Sequence, residues 1–138
     1  MAQPKPRRRA ATGACLLVIV ALGLLSRRYP LPGFLAEYTG DALYAVAVFV
    51  TLTLVWPAGR IRTLAVAAWL SCAAIECSQL LTWRWLVALR SASVGALVLG
   101  QGFQWADLVA HAVGVALAAS VTAGLRRWRD SPRTGAVR

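Results

Sequence analysis

Negative charge is scarce in this chain: five Asp and Glu stand among 138 residues, and charged residues of both signs reach only 14%. A soluble domain carries roughly 25% charged and about 45 to 50% apolar residues, whereas the apolar share here is 59% and mean hydropathy is +0.61. Those values exclude an ordinary water-soluble globule. One His and three Cys leave little material for metal chemistry, with no CxxC motif and no disulfide framework. Cys72 and Cys77 point to separate faces of a helix. No metal or cofactor is therefore expected. The chain also lacks a nucleophile elbow, an HExxH motif, a P-loop and an internal repeat, and its length allows one domain.

What the chain does hold is a series of apolar runs. Ala10–Ser26 is the first, closed by Arg27, Arg28, Pro30, Pro32 and Gly33. Asp41–Trp56, extensible back toward Tyr38, is the second, and Pro57 and Gly59 stop it. Ile61–Thr82 is the third and carries Glu76; Trp105–Leu125 is the fourth and carries Asp107 and His111. A crossing helix needs about 20 residues, within a range of about 17 to 25, so four spans fit. Between the third and fourth, Trp83 to Gln104 is too interrupted by Arg, Ser and Gly to cross. Trp83, Trp85, Phe103 and Trp105 bracket it with rings typical of membrane interfaces. The expected fold is an all-α membrane protein, four transmembrane helices with an interfacial or re-entrant segment between helices three and four.

The net charge of +10 then reads as topology. Lys5, Arg7, Arg8 and Arg9 precede the first span, Arg60 and Arg62 separate the second and third, and five Arg follow Leu125. The other side holds Arg27, Arg28, Arg84 and Arg90. Basic residues collect in cytoplasmic loops, so both termini are expected inside, in a cell membrane, with no nucleic-acid partner. Leu25-Ser26-Arg27-Arg28 lacks a small-x-small cleavage pattern, which favours a retained signal-anchor. Cys15 precedes its apolar stretch instead of closing it, which excludes a lipoprotein box. The expected organisation is a basic tail over 1–9, one membrane domain over 10–126 and a second basic tail over 127–138, both tails disordered.

Ionisable side chains inside spans are costly and are functional candidates by default. Glu76 is expected roughly 9 Å below the outer end of span three, with Gln79 on the same face; an interhelical hydrogen-bond clamp and a binding site both fit. Asp107, His111, Gly114 and Ala118 follow the spacing of one helical stripe. Gly114 and Ala118 continue it as a small-residue packing surface, expected to bring span three close enough for Glu76 to meet His111. Asp107 also fits an anion favoured by the helix dipole, and His111 a satisfied interior histidine. Asp41 reads as a candidate helix cap and Glu37 as solvent-facing. Arg84 and Arg90 are candidate anion-binding residues, the alternative being snorkelling at the interface.

Glu76-x-x-Gln79, then Arg90, then Asp107-Leu108 followed by Gly114, resembles the C-terminal signature of the VanZ-like integral membrane proteins. The closer resemblance is to a branch catalogued as a domain of unknown function, also labelled ribosomal maturation YjgA family. It is carried by Gly40-Asp41-Ala42-Leu43-Tyr44, Glu76-Cys77-Ser78-Gln79-Leu80, Leu89-Arg90 and the run from Gly95 to Leu108, over roughly residues 38–118. The resemblance implies a small helical membrane protein whose better-known relatives are associated with low-level teicoplanin resistance; it carries no catalytic residue over. His111 stands where VanZ-like proteins often have Asn, and Ala118 where a second Gly is common, which predicts a looser helix contact. A ribosomal role finds no support, because most of the chain belongs in lipid and no RNA-recognition motif is present.

The leading expectation is a non-enzymatic, envelope-associated membrane protein binding an amphiphile or lipid head group, such as a lipid-linked precursor or a glycopeptide, at an outer-leaflet polar cluster of Glu76, Gln79, Asp107 and His111. One alternative is a membrane-embedded, lipid-acting enzyme with Glu76 or His111 in acid-base roles. Another is a proton-linked transporter, which four spans without an inverted repeat would build only as a homo-oligomer.

Overall fold

The computed structural model describes residues 6–29, 32–100 and 102–131, and everything ordered among them is helical. Six helices follow in order: α1 Pro6–Arg28, α2 Phe34–Val55, α3 Ile61–Ser78, α4 Arg84–Ser91, α5 Ser93–Leu99 and α6 Trp105–Asp130. Among the described residues, α1, α2, α3 and α6 contain stretches long and apolar enough to cross a membrane. Large side chains such as Leu17, Val66, Val109 and Leu117 are exposed on them, which lipid accommodates and water does not.

Several helix ends differ from the sequence expectation. Residues 6–9 and 127–130, read as tail, are helical, and α6 carries Arg127 and Arg129 in its last turn, where basic charge complements the helix dipole. Ser131 caps α6, and the remaining tail residues lie outside the described residues. Asp41 is not a cap, because Gly33 occupies the N-cap position and α2 begins at Phe34. The side chain of Glu37 also lies outside the described residues. α3 stops at Ser78, four residues before the expected limit of Thr82. Its terminal N–H groups at Gln79, Leu80 and Leu81 bond three residues back, tightening the chain into a turn.

Arg90 explains that early stop. It is buried on α4 and donates to the carbonyls of Leu81, at 3.2 Å, and Ser78, and to the Ser78 hydroxyl. A helix C-terminus leaves four carbonyls without intrahelical donors, and the guanidinium serves the end of α3 while tying α4 beneath it. Arg90→Met retains the aliphatic stem and removes these bonds. Since bonds to a charged group contribute about 1.5–3 kcal/mol, the expected loss is about 2 kcal/mol in reversible unfolding in detergent. Arg84→Gln, on the exposed side of the same helix, should stay within about 0.5 kcal/mol.

The core is small and lies between three helices. Ala45 and Phe49 of α2, Leu64, Ala68 and Cys72 of α3, and Val115 and Ala118 of α6 form it, each set recurring at three- or four-residue spacing. Gly114 brings α6 onto α2 so closely that a Cβ there would overlap the Ala42 carbonyl oxygen. Trp69 Nε1 donates to the Leu108 carbonyl at 3.3 Å, linking α3 to α6. Hydroxyls within the spans, including Thr51, Thr53 and Ser71, bond to carbonyls of their own helices and so remain tolerable in an apolar setting. α1 packs on α2 alone among the described helices.

Candidate functional site

At the end of the bundle where α1 and α3 finish and α2 and α6 begin lies a cavity of about 460 Å³. Asp41 reaches its wall from α2, Glu76 and Gln79 from the end of α3, Asp107 from the first turn of α6 and Arg27 from the last turn of α1. Ala96 and Leu97 of α5 supply its apolar lining.

Glu76 is the best-secured of these groups, with 3% of its surface exposed. Gln79 Nε2 donates to Glu76 Oε2 at 2.7 Å, and the Gln104 backbone N–H donates to Oε1 at 3.0 Å. The Asp107 carboxyl stands close enough to interact with the same carboxyl. The loop before α6 is thereby tied to the last turn of α3. Gln79 Oε1 is buried and has no hydrogen-bond partner. Gly100, at φ 67, passes over this amide, and a Cβ there would lie 2.6 Å from Gln79 Nε2. The positive φ and the close approach both call for glycine.

The polar cluster expected from sequence is thus formed in part. Glu76, Gln79 and Asp107 come together on one wall, whereas His111 stands apart. Its ring lies 6.2 Å from that of Tyr44, and its Nδ1 is buried without a partner. The expected meeting of Glu76 with His111 does not form, because the Gly114 surface approaches α2 and places the imidazole beside α2's tyrosine. Arg84 and Arg90 do not line the cavity: Arg84 is exposed, and Arg90 serves the α3 terminus. The cation on the wall is Arg27, whose Nε passes 3.8 Å from the Cβ position of Gly40. Sequence reasoning counted Arg27 only as a flanking charge and missed the Gln104 N–H, since a backbone donor leaves no mark in residue types. Phe103 and Trp105, packed edge to face at 4.9 Å, stand on either side of Gln104 in the chain.

This architecture defines a multi-span helical membrane protein with a polar cavity at one end of its bundle. Residues 30–115 match the family described as Protein of unknown function (DUF2809), and the chain belongs to that family. The matched stretch contains every cavity residue named above except Arg27. No solved structure matches the chain.

Proposed function

We propose that the cavity binds the head group of an amphiphile and that this head group carries an ammonium. The supporting observation is the composition of the wall: three carboxyl groups line it beside one guanidinium. An ammonium brings positive charge and three N–H donors to a surface rich in acceptors. A phosphate or pyrophosphate alone would meet mostly like charge there, which disfavours a pyrophosphate-linked envelope precursor. A zwitterionic head group suits the wall better, its ammonium toward Asp41 and Asp107 and its phosphate toward Arg27. Ala96 and Leu97 offer contact to the adjoining alkyl portion.

The setting we propose is a cell membrane of the envelope, with both termini cytoplasmic and the cavity opening toward the outer leaflet. The excess of basic residues at the opposite end of the bundle supports that orientation. The resemblance of Glu76, Gln79 and Asp107 to part of the VanZ-like signature is what favours the envelope setting, and it keeps an amine-bearing glycopeptide among the ligands to be tried. Acid-base catalysis by Glu76 together with His111 lacks the required geometry, because the imidazole lies against Tyr44 and off the cavity wall.

The test is a titration of the purified protein, in neutral detergent, with short-chain phosphatidylethanolamine and with phosphatidylglycerol of equal chain length. Phosphatidylethanolamine should bind more tightly. Asp41→Asn and Asp107→Asn should each weaken it about tenfold, matching the loss of one charge-assisted hydrogen bond. Equal affinity for both lipids, or unchanged binding in both variants with circular dichroism intact, rejects the proposal.

A further inference from the structure

A second cavity, of about 800 Å³, lies at the opposite end of the bundle, among α1, α2 and α6. It follows from the packing: α1 and α6 both rest on α2 but do not touch each other, so α2 forms the floor of an open groove. Arg9 of α1 and Arg126 and Arg129 of α6 stand at one end of that groove. Beyond them its wall becomes apolar, with Ile19, Val50 and Val121 from the three helices.

The dimensions suit one class of molecule. From Arg9 to Ile19, α1 rises about 15 Å at 1.5 Å per residue, which is about half the hydrocarbon thickness of a bilayer, or one leaflet. Trp56 and Trp128, at the same end of α2 and α6, are exposed as aromatic rings at a membrane interface are. The three guanidiniums therefore stand at head-group depth, above an apolar wall one leaflet deep. No carboxylate is among the described residues lining this groove. Arg126 Nη1 donates to the Gly59 carbonyl at 3.3 Å, and Arg129 Nε to the Leu125 carbonyl at 3.0 Å. Each guanidinium retains further N–H groups for an anion.

We infer that this groove is a specific site for an anionic phospholipid, its phosphodiester on Arg9, Arg126 and Arg129 and one acyl chain between α1 and α6. The occupant follows from charge complementarity: basic clusters between spanning helices hold anionic head groups, and a soluble anion would leave the apolar wall uncovered. The site is independent of the carboxylate-lined cavity, with which it shares no residue.

Native mass spectrometry of the intact protein in neutral detergent, titrated with dioleoyl phosphatidylglycerol and dioleoyl phosphatidylcholine, tests this. Arg9→Gln combined with Arg129→Gln leaves the Arg126 contact with Gly59 in place. That pair should weaken phosphatidylglycerol binding at least about tenfold. Arg60→Gln combined with Arg62→Gln removes the same charge from the same end of the bundle but outside the groove, and should change it less than about threefold. Val121→Trp, at an exposed position, should also displace the lipid by filling the wall. Equal losses in the two arginine pairs would reduce the effect to general surface charge and overturn the site. So would equal binding of phosphatidylcholine, or displacement of the lipid by millimolar inorganic phosphate.

Discussion

Gly114→Val drives α2 and α6 apart. A Cβ at this position would overlap the Ala42 carbonyl oxygen, with Ala42 carbonyl carbon and Cα each 3.0 Å away. The obstruction is helical backbone, which cannot turn aside as a side chain can, so the helices must separate. Between helices in lipid there is little hydrophobic drive to offset that separation, and close van der Waals contact carries most of the association. Overpacking costs about 1–3 kcal/mol and at times more; with backbone as the obstacle, the upper end of that range is expected. A chain of this size should lose about 10 °C of thermal midpoint, followed by tryptophan fluorescence in detergent. Gly124, on the same helix, has open space where its Cβ would stand. Gly124→Ala should therefore leave stability unchanged or raise it by up to about 1 kcal/mol through helix propensity. Similar losses at both positions would show that the α2–α6 approach is not what holds the bundle.

Glu76→Ala should produce the other large effect. It removes the acceptor of the Gln79 amide and of the Gln104 N–H together, and takes away the carboxyl that Asp107 contacts. Each buried group left unsatisfied costs about 1–3 kcal/mol, so a total near 4 kcal/mol is expected, with loosening of the loop between α5 and α6. Glu76→Gln should cost less than half as much. Its amide oxygen can still accept from Gln104 and its amide nitrogen can donate to Asp107, leaving only the Gln79 bond without a counterpart. Hydrogen exchange at the Gln104 amide separates the two substitutions: protection should be lost in the alanine variant and largely kept in the glutamine one. Loss of protection in both, with equal destabilisation, would mean that charge at position 76, rather than its hydrogen bonds, organises this end of the bundle.

The spans were legible in the sequence because lipid requires long apolar runs, and such runs need no knowledge of neighbours. The shared face of Glu76 and Gln79, and that of His111, Gly114 and Ala118, followed from helical periodicity alone. The identity of the helix each face meets did not. A small-residue stripe signals close approach without naming its partner, and at Gly114 that partner is the Ala42 backbone of α2. His111 accordingly meets Tyr44 instead of Glu76. Asp41 looked like a cap because it follows Gly40 at the start of the second apolar run, yet the helix begins at Phe34, immediately after Gly33, and places Asp41 on an interior turn. Arg90 showed its charge but not its acceptors, since carbonyls at the end of α3 are invisible in residue types. Arg27 reached the cavity wall through α1's packing on α2, a contact between helices that no single run of residues reveals.

Among the described residues, none of the seven that form the hydrophobic core belongs to α1. The distinction becomes one of time when the chain is made from its N-terminus onward. α1 precedes α2, α3 and α6 in the chain, yet among the described helices it packs only on α2, whose core face is completed when α6 has followed. Assembly is thus staged for this protein: α1 can pair with α2, and α2 with α3, as they are made, but the three-helix core is complete only when α6, a distant stretch of chain, arrives.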